Sequence, residues 1–213
     1  LVHSNPVKKV GALKLEKTIK KPYSPEEMER LRGACGNIRD RALVEFLYST
    51  GVRVSELTAL NVGDIEMGKQ ELVVYGKGSK ERKTYLTDSA KFYLRRYLQT
   101  RPQEDLDRQP LFVTLDAPHN RLTVPGVQYM LRQLGRRSGV TNVHPHRFRR
   151  TIATDLLSRG MPIEQVKEFL GKRLEDITGM DLRYYYGILR ERRGIKMSTM
   201  QTRLHYLSSF WDF

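Results

Sequence analysis

The sequence is poor in cysteine and has no long apolar run, and both absences exclude whole classes of protein. Cys35 is its only cysteine, so the chain can form neither an internal disulfide nor a zinc site built from cysteines. No apolar run approaches the ~20 residues that are needed to span a bilayer, and no signal-peptide pattern opens the sequence. We therefore expect a cytoplasmic protein with no membrane partner.

Acidic residues are also scarce relative to basic ones. The 213 residues contain 38 Lys and Arg against 24 Asp and Glu, which gives a net charge of +14 and an isoelectric point of about 10.0. Such an excess favours a polyanionic partner, either nucleic acid or an anionic membrane surface. A basic surface that only keeps the protein soluble is the alternative. Because no membrane segment is present, we expect a nucleic-acid partner and a nucleoid-associated protein.

Helix signals occupy most of the chain. Ser24, Pro25 and Glu27 indicate a helix start, with serine as N-cap, proline at the first helical position and glutamate completing a capping box. A second helix in "RDRALVEFLYST" ends at Gly51, and "VSELTAL" begins a short helix capped by Ser55. Further helices are predicted in "SAKFYLRRYLQ", "VPGVQYMLRQLGRRS", "HPHRFRRTIATDLLSR" and "PIEQVKEFL".

The hydrophobic period changes in "QELVVYGKGSKERKTYL", where two strand-like runs flank "GKGSK". This pattern predicts a β-hairpin with a flexible basic tip. Another short strand is expected in "LFVTL". The predicted fold class is therefore mainly α with a small antiparallel β-sheet (α+β).

Several basic side chains are candidates for chemistry. "HPHRFRR" places His146, Arg149 and Arg150 at positions i, i+3 and i+4, so one helix face carries all three. An imidazole beside a guanidinium near a helix start suits a phosphate diester, although a helix that only touches a nucleic-acid backbone has the same composition. Arg53 follows a helix-ending glycine and can be held rigidly and aimed inward, with an ordinary surface arginine as the alternative.

Two other motifs are weaker. "GKGSKER" lacks the spacing of a phosphate-binding P-loop and is flanked by strands, so Lys77 is predicted to lie on a hairpin tip that can reach a neighbouring groove or phosphate. His144 and His146 form an H-x-H pair without a third ligand at a supporting spacing. We therefore predict no metal site.

Taken in order, these segments resemble the catalytic domain of the tyrosine recombinase family, which includes the phage integrases and the Xer-type resolvases of chromosome dimers. The matching motifs are G-x-R-x-S-E-L, G-K-G-x-K-x-R and H-x-x-R-x-x-x-A-T-x-L-L-x-x-G, followed by a tyrosine, and they extend from Ser24 to Tyr186. The resemblance implies a site-specific recombinase or integrase that cleaves and rejoins DNA through a 3′-phosphotyrosyl intermediate. It implies no cofactor and no metal.

The resemblance also implies a role for each of five residues that precede the tyrosines. Arg53 and Arg149 would clamp the scissile phosphate, and Glu56 would support the site. Lys77 would protonate the departing 5′ oxygen. His146 would act as general acid and base near the attacking phenol.

Two positions depart from the family pattern. Lys172 stands where a histidine or tryptophan is usual, and it can donate a hydrogen bond to a non-bridging oxygen but cannot shuttle protons near neutral pH. In "DLRYYYG" the tyrosines lie twelve to fourteen residues after Lys172, where the family has nine. The family pattern ahead of the nucleophile is often T-x-x-Y, and "DLRY" matches it with Asp181 as the cap, so the resemblance selects Tyr184 as the nucleophile. Tyr185 is the alternative nucleophile, and packing of all three rings is the alternative without chemistry.

Four more basic side chains are predicted to contact DNA: Lys80, Arg82, Arg147 and Arg150. The expected partners are double-stranded recombination sites, bound by a homotetramer on two duplexes that is a monomer or dimer off DNA, together with accessory proteins. The expected divisions are a linker remnant over 1–22, a catalytic domain over 23–194, and a C-terminal helix over 195–213 that is exchanged between protomers.

Two alternatives stay open from the sequence. A type IB topoisomerase-like enzyme would share the same chemistry, but the "GKGSKER" motif favours a recombinase. A non-cleaving DNA-binding member of the same fold is favoured by Lys172 and by the displaced tyrosines.

Overall fold

The computed structural model describes residues 21–76 and 81–171. These residues confirm a mainly helical fold with a two-stranded antiparallel sheet. The α-helices are α1 (Pro25–Gly33), α2 (Ile38–Thr50), α3 (Val54–Ala59), α4 (Asp88–Gln99), α5 (Val124–Ser138), α6 (Pro145–Ser158) and α7 (Ile163–Leu170). The strands are β1 (Glu71–Tyr75) and β2 (Glu81–Tyr85), and single 3₁₀ turns occupy Val62–Asp64 and Leu106–Arg108.

Local capping residues set several of these boundaries as the sequence predicts. At the start of α1, the Ser24 hydroxyl accepts a hydrogen bond from the Glu27 N–H at 3.1 Å, and the Glu27 carboxylate accepts one from the Ser24 N–H at 2.9 Å. This reciprocal pair satisfies two of the N–H groups that a helix start leaves without partners. Gly51 and Gly139 end α2 and α5 in the left-handed conformation.

The core is organised around α2, which packs against α4 and α6. Leu43, Phe46 and Leu47 of this helix are fully buried in the larger of two apolar clusters. The smaller cluster lies between α6 and α7 and contains Leu157, Val166, Phe169 and Leu170. Because this cluster fixes α7 against α6, it also determines where the carboxyl end of α7 lies.

The hairpin shows the alternation expected of a sheet with one covered face. Leu72 and Val74 of β1 and Arg82 and Thr84 of β2 are buried, while their neighbours are exposed. Val74 lies directly opposite Arg82 in the register. The inward face of β2 therefore carries a charged residue where an apolar one would be usual.

Two details differ from the sequence prediction. Residues 111–115 form no strand; Val113 makes only an isolated bridge to Arg121. Backbone hydrogen bonds join the segment to residues 120–122, but the Leu111 and Val113 carbonyls accept from the side chains of Arg101 and Arg39 and not from a neighbouring strand.

The second difference is the start of α3. Ser55 was expected to cap this helix, but the helix begins at Val54 with Arg53 in the N-cap position. The Glu56 carboxylate accepts the hydrogen bond of the Arg53 N–H at 2.8 Å. The acidic residue of the "RVSE" run therefore supplies the cap that the serine was predicted to give.

Gly51 is expected to be intolerant of any side chain. Its φ is +56°, and an added Cβ would lie 2.8 Å from Cγ2 of Ile152 and 3.0 Å from Cδ2 of Leu170. We expect Gly51→Ala to lower the free energy of unfolding by about 2–4 kcal/mol, since the left-handed conformation and overpacking both contribute. Urea denaturation will measure this. Gly68→Ala is the matched control, because no heavy atom lies within 4 Å of the added Cβ, and an equal loss there would contradict the explanation.

Candidate active site

Arg53 lies at the junction of α2 and α3, where Glu56 holds both its backbone and its side chain. The Glu56 carboxylate accepts from the Arg53 N–H through Oε2 and from Nη1 through Oε1, both at 2.8 Å. The Arg53 side chain is still 33% exposed. Its guanidinium is therefore oriented by the fold but remains accessible to a ligand.

The carboxyl end of α7 is the point where three arginines meet. Three consecutive carbonyls each accept a hydrogen bond from a different arginine: Phe169 from Arg82 at 2.6 Å, Leu170 from Arg149, and Gly171 from Arg53 at 3.0 Å. The last carbonyls of a helix have no partner within the helix and carry the negative end of its dipole. This explains why cations from three other elements collect there. We call Phe169, Leu170 and Gly171 the carbonyl ladder.

Arg149 joins the ladder to the α2–α3 junction. It projects from α6, is only 5% exposed, and also donates to the Gly51 carbonyl at 2.5 Å. Gly51 lies two residues before Arg53. The structure thus brings Arg149 to Arg53 and Glu56, from which it is separated by more than ninety residues of sequence.

His146 and Arg150 flank Arg149 on α6. His146 is exposed, Arg150 is half-buried and Arg149 is buried, so this face of the helix runs from solvent to the interior. The His144 and His146 rings are 6.4 Å apart between centroids. His146 also lies in the first turn of α6, where free backbone N–H groups attract anions.

The buried Glu56 carboxylate is shared by two arginines. Its Oε1 pairs with Arg53 at 2.8 Å and its Oε2 with Arg82 at 2.7 Å. Burial by itself raises the pKa of Glu56, but the hydrogen bonds from Arg53 and the charge of Arg82 outweigh burial and leave that pKa below its usual value. Glu56 is therefore charged at neutral pH and neutralises part of the positive charge gathered around it.

The lowered pKa of Glu56 predicts how stability depends on pH. A carboxyl whose pKa is lower in the folded state stabilises the protein above its unfolded value of about 4.5, and this contribution is lost as the pH falls. We expect Glu56→Gln to reduce the free energy of unfolding by roughly 2–4 kcal/mol at pH 7, because it breaks a buried ion pair. The difference between wild type and variant should shrink below pH 4.5. Urea midpoints measured from pH 3 to pH 8 will test this, and a constant difference would contradict it.

Arg82 lies elsewhere than the sequence predicts. A DNA contact was expected, but the residue is only 8% exposed and its guanidinium donates to Glu56 and to the Phe169 carbonyl. Burial lowers its pKa, and the neighbouring Glu56 opposes that shift. These contacts assign Arg82 a position inside the fold, between Glu56 and the end of α7, and its contact with DNA stays a prediction.

Arg147 also differs from its predicted role as a DNA contact. It is 8% exposed, lies 4.1 Å from the ring centroid of Tyr23, and donates to Glu27 at 2.6 Å. Further hydrogen bonds reach the carbonyls of Lys21, Pro22 and Thr141. The residue therefore fastens the segment before α1 to α6, on the side of α6 away from Arg149.

Five of the predicted residues lie outside the described ranges: Lys77, Lys80, Lys172, Tyr184 and Tyr185. Their roles stay predictions. Lys77 and Lys80 belong to the connection between β1 and β2, and Lys172 directly follows the carbonyl ladder. No position of the sequence had marked the ladder itself as part of the site, although "EFLG" correctly signalled a helix ending at a glycine.

In residues 21–76 and 81–171, no group of three or more His, Cys, Asp or Glu side chains could hold a metal ion. Within the same ranges, none of the helices has the length and apolar character needed to cross a membrane.

Comparison with known proteins gives a family match. Residues 23–184 match the model of the phage integrase family. The tyrosine recombinase XerC of Leptospira interrogans is 36% identical over 179 residues, which cover 80% of this chain and 57% of that protein. The XerC protein of Staphylococcus aureus is 35% identical over 185 residues, covering 82% and 60%. The chain thus spans somewhat more than half the length of these relatives.

Solved structures show the same fold. The crystal structure of XerA recombinase matches with a TM-score of 0.67 and 28% identity, covering 81% of this chain and 66% of that one. XerH site-specific recombinase, bound to a palindromic difH substrate in a post-cleavage complex, matches with a TM-score of 0.66 and 20% identity, covering 83% and 53%. The Tn1549 transposon integrase in complex with transposon right end DNA matches with a TM-score of 0.65 and 18% identity, covering 92% and 68%.

Proposed function

The chain belongs to the phage integrase family, and we propose that it contains the catalytic domain, over residues 23–194, of a site-specific DNA recombinase. In this proposal the protein cleaves a DNA strand through a 3′-phosphotyrosyl intermediate and rejoins it to another strand. The partners are double-stranded recombination sites, on which four subunits assemble across two duplexes with the help of accessory proteins. Residues 195–213, which lie outside the described residues, are proposed as a C-terminal helix or tail that is exchanged between subunits.

One observation carries the proposal: Arg53 and Arg149 are anchored on adjacent carbonyls of one helix end, directly before Lys172. Two guanidinium groups held side by side suit the non-bridging oxygens of a phosphodiester, which Arg binds in bidentate geometry. Such preorganised donors are worth most where charge develops in the transition state. Lys172 would add a third donor at the same phosphate.

The proposed chemistry is a displacement at phosphorus. The Tyr184 oxygen attacks the scissile phosphate, and the bond from phosphorus to the 5′ oxygen breaks. His146 accepts the phenol proton, and Lys77 donates a proton to the departing 5′ oxygen. Proton acceptance matters because a free tyrosine, with a pKa near 10, is only ~0.1% phenolate at pH 7. The phosphotyrosyl bond retains the energy of the phosphodiester, so a second 5′ hydroxyl can reseal the strand.

The remaining basic residues of the site are assigned to binding. Arg150 is half-buried beside Arg149, and Lys80 lies in the connection between the two strands. We assign both to contacts with the DNA backbone near the scissile phosphate. Such contacts position the duplex and carry no sequence information by themselves.

The covalent intermediate is the direct test. The protein is incubated with a pool of randomised nicked duplexes, in which the short 5′ fragment diffuses away after cleavage and traps the adduct. Covalently bound DNA is recovered under denaturing conditions and sequenced, and the attached peptide is identified by mass spectrometry. We expect a phosphotyrosyl peptide that contains Tyr184 and a single enriched DNA sequence.

Other outcomes would replace the proposal. An adduct without any enriched sequence would indicate a relaxing enzyme of the type IB topoisomerase kind. No adduct on a duplex that the protein demonstrably binds would indicate a DNA-binding member of the fold that does not cleave.

A further inference from the structure

We propose that Arg82 is a positioning residue, which holds Arg53, the carboxyl end of α7 and the β1–β2 hairpin in one fixed arrangement around the scissile phosphate. The inference rests on the proposed function, because it concerns the geometry of that reaction. Arg82 itself does not touch DNA in this account. It acts through Arg53, through the carbonyl ladder, and through the hairpin that carries Lys77.

The burial of Arg82 is the first argument. Its side chain is 6% exposed, and its Nη2 lies 2.7 Å from Oε2 of Glu56. Its Nε is buried and has no hydrogen-bond partner among the residues that the structure describes. Buried ion pairs can often be replaced by apolar side chains without loss of stability. A contribution to folding stability therefore does not by itself explain why a charged residue occupies this buried position on β2.

The connections of Arg82 supply that reason. Glu56 has two oxygens, and Arg82 binds Oε2 while the side chain of Arg53 binds Oε1. Fixing one oxygen orients the whole carboxylate, and with it the guanidinium of Arg53. The other end of Arg82 donates to the Phe169 carbonyl, two residues before the Gly171 carbonyl that receives Arg53. Arg82 thus binds Glu56 directly and binds α7 two residues before the Gly171 carbonyl, so it contacts both elements that orient Arg53.

The same residue couples the hairpin to α7. Arg82 lies in β2, five residues after Lys77, and β2 packs against α7. On the other side of the strand, the rings of Tyr85 and Phe169 stack with centroids 6.3 Å apart and planes at 4°. A shift of α7 relative to the sheet would therefore move the base of the hairpin, and the connection that contains Lys77 begins and ends at that base.

Gly171 shows how closely Arg82 approaches the end of α7. A Cβ added at Gly171 would lie 2.5 Å from Cδ and 3.1 Å from Nε of Arg82, and the residue has a φ of +56°. Glycine is the residue that accepts both the conformation and the close approach. The aliphatic part of the Arg82 side chain therefore packs so closely against Gly171 that a side chain at position 171 would displace it.

The test compares Arg82→Met, which keeps an unbranched apolar stem but removes the guanidinium, with Lys83→Met as the matched control. Lys83 is the next residue on β2, and its side chain is 64% exposed. Each variant is assayed for DNA affinity and for single-turnover cleavage of the duplex recovered with the wild type. A second duplex carries a methylphosphonate at the scissile position. This group replaces a charged non-bridging oxygen with methyl, so the reacting phosphorus carries one negative charge fewer and its cleavage depends less on an arginine clamp.

We expect Arg82→Met to slow cleavage of the ordinary duplex by about 10²-fold, because small displacements of catalytic groups cost that much. Its affinity for DNA should stay within threefold of the wild type, and the deficit should shrink at least tenfold on the methylphosphonate. Arg82→Lys, which keeps the charge but loses the fork, should recover only part of the rate. Lys83→Met should leave both rates unchanged.

Several results would overturn the inference. A deficit of equal size on both duplexes would mean that Arg82 only stabilises the fold, and a normal rate on the ordinary duplex would mean that it has no positioning role. A wild type that cleaves neither duplex would count against the proposed function instead. In that case amide hydrogen exchange tests the positioning role without reference to cleavage. The amides of residues 166–171 should exchange at least tenfold faster in Arg82→Met than in Lys83→Met. Equal exchange rates in the two variants would overturn the positioning role.

Discussion

The Tyr184→Phe variant is expected to form no covalent complex with DNA, with a cleavage rate at least about 10⁴-fold below that of the wild type. Phenylalanine lacks the oxygen that would form the new bond to phosphorus, so the step has no nucleophile. DNA affinity should stay within twofold, because the phosphate contacts come from other residues. Denaturing gels that separate free from protein-linked suicide duplex will measure the rate, and filter binding will measure the affinity.

The two neighbouring tyrosines are the controls for this prediction. The resemblance implies a helix at these tyrosines, which lie outside the described residues; successive residues of a helix point about 100° apart, so only one of three adjacent rings would face the phosphate. Tyr185→Phe and Tyr186→Phe should therefore retain cleavage within tenfold of the wild type. If Tyr185→Phe loses the adduct and Tyr184→Phe keeps it, the nucleophile lies one residue later, and Asp181 is not the cap that sets the register.

Local signals made most of the helix boundaries predictable. The capping box at Ser24 and Glu27 and the helix-ending glycine at Gly51 depend on neighbours only a few residues apart, and both are observed. The strand predicted in "LFVTL" does not form. The Leu111 and Val113 carbonyls accept from the side chains of Arg101 and Arg39, and the Phe112 carbonyl accepts from the Leu122 N–H. A composition that suits a strand contains no information about such partners.

The basic residues of the candidate site also show that the sequence does not reveal which distant groups a side chain contacts. The sequence marked Arg53, Glu56 and Arg149 through their motifs, and the structure places these three together. The sequence prediction also grouped Arg82 and Arg147 with the DNA contacts, because charge alone does not reveal the direction of a side chain. The strand register was the available signal for Arg82, since pairing with Val74 turns it inward. For Arg147 the signal was helical phase, which turns it away from Arg149.

Arg53→Ala is expected to slow cleavage of an ordinary phosphodiester by about 10²–10³-fold, the usual cost of removing one preorganised donor. Arg53 is the better choice of the two clamp arginines for this test. Arg149 is buried and hydrogen bonds to the Gly51 and Leu170 carbonyls, so its truncation would also disturb the packing of α6 and α7. The Arg53 side chain is one-third exposed, so its removal perturbs the fold less.

The methylphosphonate duplex separates a clamp from a structural arginine. If Arg53 neutralises a non-bridging oxygen, the deficit of Arg53→Ala should nearly vanish where that oxygen carries no charge, while the deficit of Tyr184→Phe should persist on both duplexes. Arg95→Ala is the control, because Arg95 is an exposed arginine that donates to the Met67 carbonyl away from the site. If the loss of cleavage rate in Arg53→Ala is as large on the methylphosphonate duplex as on the ordinary duplex, Arg53 acts only by holding Gly171. The catalytic charge would then have to come from Arg149 and Lys172.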